Sequence, residues 1–251
     1  MSLTSPATSS PRGALGVLLI ILFALGAVIV AIAGIAVFFA FGIKMGHVDP
    51  HQPQRISVTF QLLGELAIYI PVGAYLLGFL PLLFRRSLRQ LGLRAPGLRE
   101  IGIGIVGAVM MTLAVDLTGA LMVALTHRHD TEAAIAVLKA VKTPAEMYLF
   151  VSIAVVFAPM LEELGFRVFL YNAFTRFASV PVAVVLSGLV FGAVHSASLP
   201  QLETVAIPLA MGGIVLAIVY SWSRNYWSAV LTHALFNALP LTLFFVFHVA
   251  P

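Results

Sequence analysis

Six side chains in this sequence could do chemistry where chemistry is costly to place. Glu162, Glu163, Arg167, His195 and His233 lie in or beside stretches apolar enough to cross a bilayer, and Asn237 follows His233 by one helical turn. An ionisable group at membrane depth costs several kcal/mol, roughly 2.5–3.5 on insertion scales, and usually marks a functional site. Glu163 and Arg167 are four residues apart, so on a helix they stack on one face as an ion pair. Pairing offsets much of the cost of both charges, and breaking it leaves one charge buried and alone. Glu162 points about 100° away from that face and has no cation at the same spacing. It is the candidate general base, able to take a proton from water.

His195 shares a helix face with Phe191, in a segment whose Ser187, Gly188, Gly192 and Ala193 permit close helix approach. A histidine there can help Glu162 orient or polarise a water. His233 and Asn237 also share one face, and both can donate hydrogen bonds as an oxyanion hole requires. Three segments thus offer a base, a partner histidine and two donors. Each signal has a plainer reading. A lone buried histidine is more often a packing residue, and a Glu–Arg pair at this spacing is usually structural, which is the first reading of Glu163 and Arg167. The combination is what points to hydrolysis.

The elements that must position these residues follow from composition. The 251 residues are 61% hydrophobic and only 10% charged, with a mean hydropathy of +1.05. Soluble domains carry about 25% charged residues. There is too little polar surface here to coat a water-soluble fold, so the expectation is an all-α, polytopic membrane helix bundle. The length admits about seven or eight spans of roughly 20 residues. Helices are the economical way to satisfy backbone groups in lipid. The net charge of +4 is attributed to loop arginines at membrane ends rather than to nucleic-acid binding. Cysteine is absent, which removes a cysteine nucleophile, a thiolate metal site and disulfides.

Along the chain, residues 1–13 are rich in Ser, Thr and Pro and are expected to be a disordered tail. Residues 14–251 are expected to form one transmembrane domain. Its spans are placed at 14–41, 58–84, 101–125, 146–174, 180–197, 204–220 and 226–247, with a polar, partly helical loop after the third. The apolar run from 14 is too long for the core of a cleaved signal peptide. Five arginines lie between Arg85 and Arg99. With that connector in the cytoplasm, and Arg167 counted provisionally, nine basic residues fall inside and five outside, which predicts a cytoplasmic N-terminus.

The motifs resemble those of a known family. Glu162-Glu163-Leu164-Gly165-Phe166-Arg167 fits Glu-Glu-x-x-x-Arg, Phe191 to His195 fits Phe-x-x-x-His, and His233 to Asn237 fits His-x-x-x-Asn. In this order, on separate membrane helices over about 146–243, they are similar to the CPBP (CAAX protease and bacteriocin-processing, or Abi) family, which includes the Ras-converting CAAX endopeptidases. The resemblance implies an intramembrane glutamate-type endopeptidase. Glu162, helped by His195, would activate water; His233 and Asn237 would form the oxyanion hole; Arg167 would hold the carboxylate pair. It implies a peptide or membrane-protein substrate and the bilayer as partners, and a prokaryotic plasma membrane as the expected location. No cofactor is expected, and His-Glu-x-x-His is absent, although Glu162, Glu163, His195 and His233 could supply metal ligands.

Other polar groups are read more plainly. Glu65 and Asp116 are expected to face the bundle, bonded to Ser, Thr or backbone, with a substrate or proton path as the alternative. His127, Arg128, His129 and Asp130 read as a solvated loop. Trp222, Tyr226 and Trp227 fit an interfacial belt. Ser187 and Ser196 lack the nucleophile elbow of a serine hydrolase. Two other functions stay open: a scaffold or bacteriocin-immunity protein that binds a peptide without cutting it, and a proton-coupled transporter using Glu65, Asp116 and Glu162.

Overall fold

The computed structural model describes residues 13–49, 51, 56–128, 133–196 and 201–247. Residues 1–12 of the expected tail, and the His129–Asp130 part of the polar loop, lie outside them. The described residues form eight helices: α1 (Ala14–Lys44), α2 (Val58–Phe84), α3 (Leu98–Thr126), α4 (Ala133–Ala140), α5 (Pro144–Phe174), α6 (Val180–Val194), α7 (Leu202–Ser223) and α8 (Tyr226–Phe247). Six of them are long and apolar enough to cross a membrane, and α6 is a shorter apolar helix. The protein is a polytopic all-α membrane bundle.

Local chemistry explains the helix starts. Ser57 Oγ accepts from the Phe60 amide at 3.2 Å to open α2. Glu100 Oε2 reaches back to the Gly97 amide at 2.9 Å at the start of α3. Thr143 and Glu146 form a reciprocal capping box before α5 (3.2 and 3.1 Å), with Pro144 in the first turn. Glu146 also accepts from Thr59 Oγ1 at 3.2 Å, tying α5 to α2.

Two helices are not α-helical throughout. α5 contains π-helical segments at Ile153–Phe157 and Leu164–Tyr171, and α7 begins with one at Leu202–Ala206. Pro159 and Pro208 each follow such a segment within two residues. A proline has no amide hydrogen for the preceding turn, and a wider turn is one way a helix absorbs that loss.

The core lies in the C-terminal half. Helix α6 packs on α7 through glycine. A Cβ at Gly192 would collide with the Ala206 carbonyl, and one at Gly188 would lie 2.7 Å from the Ile214 amide. Helix α3 joins α7 and α8 along a buried stripe of Gly104, Gly107, Ala108 and Met111. Asp116 corrects an expectation. It lies five residues, or about 140°, beyond Met111 on an ideal helix, and it is exposed rather than facing the bundle.

Candidate active site

Helix α6 ends at Val194, earlier than the apolar run suggests, and His195 sits in the turn that caps it. Fifteen residues rise only about 22 Å, less than the roughly 30 Å hydrocarbon core. The helix therefore stops within the thickness of a bilayer and presents His195 at its end. Helix α5 brings the carboxylates, and α8 brings His233.

These elements bring together five of the six singled-out side chains. Arg167 and Glu163 are fully buried, with Nε–Oε2 at 3.1 Å. The Nε–H is not aimed along that line, so the contact is an ion pair rather than a hydrogen bond. Arg167 Nη2 donates to the Gly213 carbonyl of α7 at 3.0 Å. Its guanidinium also lies 4.8 Å from the centre of the Phe191 ring, a cation–π contact. The other oxygen of Glu163 meets His233 Nδ1 at 2.9 Å. Both oxygens of Glu163 are thus committed, one to a cation and one to a histidine.

Glu162 differs. Its side chain keeps 19% of its surface accessible. The helix spacing left it without a cation, and the fold supplies two histidines from elsewhere. His195 Nε2 lies 3.6 Å and His233 Nε2 3.9 Å from the same Oε2. The opposite nitrogen of each ring faces an acceptor. His195 Nδ1 is 2.7 Å from the Phe191 carbonyl, and His233 Nδ1 faces Glu163. Each Nδ1 is therefore assigned the proton, by its partner. In a neutral ring this turns both Nε2 lone pairs toward Glu162.

Phe191 holds these pieces in register. Its ring lies 4.6 Å from that of His195 and 5.7 Å from that of His233, edge-on to the latter, and 5.1 Å from Phe166. Asn237 is placed one turn beyond His233, but its Nδ2 donates to the Ala154 carbonyl at 2.8 Å, within the first π-helical segment. An amide carries two hydrogens on that nitrogen, so one donor is used there and a second remains.

Sequence reasoning missed Gly213, whose carbonyl receives Arg167. The Gly212–Gly213 pair on a bundle-facing helix was the signal. It also missed Tyr226, read as interfacial. Its side chain is part-buried, and its hydroxyl donates to the Met160 carbonyl at 2.7 Å just ahead of Glu162. Glu65 is half-buried and lies within electrostatic reach of Glu162. Among the described residues no group of three or more His, Asp or Glu is arranged to hold a metal ion. Glu162, His195 and His233 still present the three donor atoms nearest to such a role, while Glu163 is engaged by Arg167 and His233.

Comparison with known proteins bears on the motif region. Residues 144–239 match the family model described as type II CAAX prenyl endopeptidase Rce1-like. No curated protein and no solved structure matches the chain. The matched segment runs from the start of α5 into α8 and contains all three motifs and every residue of the cluster just described. The relationship read from the motifs is thereby shown for the region that bears them: residues 144–239 place this membrane protein with the Rce1-like CAAX proteases.

Proposed function

We propose that this protein is an intramembrane endopeptidase of glutamate type, in which Glu162 activates water without a covalent enzyme intermediate. The observation that carries the reading is the convergence of His195 Nε2 and His233 Nε2 on one oxygen of Glu162, with both Nδ1 atoms already engaged. A water held there gives one hydrogen to Glu162 and the other to His195 Nε2. Its lone pairs then face a scissile carbonyl carbon. Attack forms the C–O bond while Glu162 takes the proton. The oxyanion is met by His233 and by the second Nδ2 hydrogen of Asn237. Collapse breaks the C–N bond, and Glu162 returns its proton to the leaving amine.

His233 can donate from Nε2 only when both its nitrogens carry protons. Glu163 holds the Nδ1 side of that imidazolium. The cluster then sums to zero, with two carboxylates set against Arg167 and His233. A buried site of low dielectric favours such a balance. Glu163 and Arg167 are accordingly positioning residues.

The substrate is a membrane-associated peptide, and the family name makes prenylated C-terminal peptides the first class to test. The reading includes a prokaryotic plasma membrane, a cytoplasmic N-terminus and no metal. The test is hydrolysis of fluorogenic prenylated and unprenylated peptides by the purified protein in detergent, beside Glu162→Gln and His195→Ala, with and without chelator. Removing the base is expected to lower the rate by about 10²–10⁴, with chelator inert. Loss in chelator with recovery on added metal would turn the same side chains into ligands. Equal cleavage by both variants would sink the assignment. Binding without cleavage across substrates would favour a scaffold.

A further inference from the structure

One end of the bundle carries charge that the catalytic reading does not use. The connecting segments 85–97, 175–179 and 224–225 lie at the same end of the helices and contain six arginines if Arg85 and Arg86 are counted with Arg89, Arg94, Arg176 and Arg224. They contain no carboxylate. The nearest in sequence, Glu100, is taken by Arg94 at 3.2 Å and Arg99 at 3.9 Å. Three of the remaining arginines draw together. The fields of Arg86 and Arg224 both reach the Tyr220 hydroxyl, and that of Arg224 reaches Tyr171. Arg176 is half-buried beside Arg86. Burial first, and then the like charge of Arg86, push its guanidinium below the ordinary arginine value.

These side chains are held in place rather than waving in solvent. Arg176 Nη2 donates to the Leu83 carbonyl at 2.9 Å, and its guanidinium stacks 4.6 Å from the Phe84 ring centre. Its Nη1 is buried and makes no hydrogen bond among the described residues. Arg224 Nε donates to the Ser221 carbonyl at 3.1 Å. Arg224 also caps α7 with φ at +50°, a left-handed conformation in which glycine is the unstrained choice. An arginine kept there has a use for its side chain. Guanidiniums fixed beside one another need an anion, and planar forks suit the oxygens of a phosphate.

Depth selects the source of that phosphate. Trp222 is 71% exposed in the last turn of α7, and Trp227 stacks on Tyr226 in the first turn of α8. Tryptophans at this level mark the headgroup plane of a bilayer. We infer that Arg86, Arg176 and Arg224 form a binding site for the phosphate of an anionic phospholipid, at the membrane surface beyond the active site.

Trp222 and Trp227 are the only tryptophans in the chain, so intrinsic fluorescence reports on this end alone. The full chain would be reconstituted in mixed phosphatidylcholine and phosphatidylglycerol vesicles, with one lipid at a time brominated near its glycerol to quench tryptophan. Brominated phosphatidylglycerol is expected to quench more at equal mole fraction, with a preference of about fivefold per engaged arginine. Arg176→Gln and Arg224→Gln should each reduce the preference, Arg176→Lys should retain part of it, and exposed Arg89→Gln should leave it unchanged. Equal quenching by the two lipids in the unaltered protein would overturn the site. So would an equal loss in Arg89→Gln, which would mean diffuse charge. Inorganic phosphate in excess leaves the preference intact when the headgroup is the ligand; its disappearance overturns the lipid assignment.

Discussion

Two helix pairs in this protein use glycine to come close, and they do so in different settings. On α1, Gly26, Gly34 and Gly42 recur every eight residues and all face α2. On α6, Gly188 and Gly192 face α7. At Gly26 and Gly42 an added Cβ would meet the ring ends of Tyr75 and Phe60, which can swing away. At Gly192 it would meet the Ala206 carbonyl and, at 2.6 Å, the Ala210 amide, and backbone cannot swing. Burial follows the same division. Only 11% of the most apolar stretch of α1 is buried, against 50% in α7. The first pair holds a helix against the bundle from the lipid side; the second fixes the distance between Phe191 and the carbonyl that receives Arg167. Close packing matters most where a polar cluster depends on it.

The comparison can be broken or sharpened by substitution, with stability read as resistance to unfolding in detergent. The largest effect is expected at the polar cluster that the α6–α7 contact supports. Arg167→Met leaves Glu163 buried with its cation gone and should cost about 3–5 kcal/mol, with His233 released from its geometry and hydrolysis lost. Gly192→Ala comes next, at about 1–3 kcal/mol or more, because backbone must shift; a fall in activity larger than the fall in stability would show that the α6–α7 distance sets the catalytic geometry. Gly26→Ala should cost less than Gly192→Ala, under about 1 kcal/mol if Tyr75 moves aside, with activity unchanged. An equal cost at the two glycines would erase the distinction between yielding and unyielding neighbours. Ile29→Ala, on a side chain 65% exposed in α1, should stay within about ±0.5 kcal/mol.

Much of this was legible in the residues, and the exceptions have physical causes. Long apolar runs made six spans plain, and capping residues such as Thr143 and Glu146 marked a start within two positions. The end of α6 was not plain, because Ser196 to Leu199 continue without a breaker until Pro200. Spacing four apart paired Glu163 with Arg167 correctly. It could not foresee that the second oxygen of Glu163 would find a histidine seventy positions away, since long-range partners leave no local period. For the same reason Glu162 looked solitary. Asn237 shares the face of His233 as expected, but the acceptor it uses, the Ala154 carbonyl, sits in a π-helical segment whose existence depends on tertiary packing, with Pro159 as its only local sign.

Those widened turns have a consequence for how this chain can change length. A π turn closes with one residue more than an α turn, so each behaves as a stored insertion. One holds the carbonyl that Asn237 uses, one holds Arg167 itself, and one ends at the Ala206 carbonyl that lies against Gly192. Deleting a single residue from Leu164–Tyr171 would return α5 to ordinary phase and turn everything beyond the cut by about 100°. Asn172 would then leave Tyr220, to which it donates at 2.9 Å, and Arg176 would swing off Phe84. Point substitutions alter one contact at a time here, whereas a one-residue gap would act as a gear change, shifting the phase of the catalytic face against that of the basic rim.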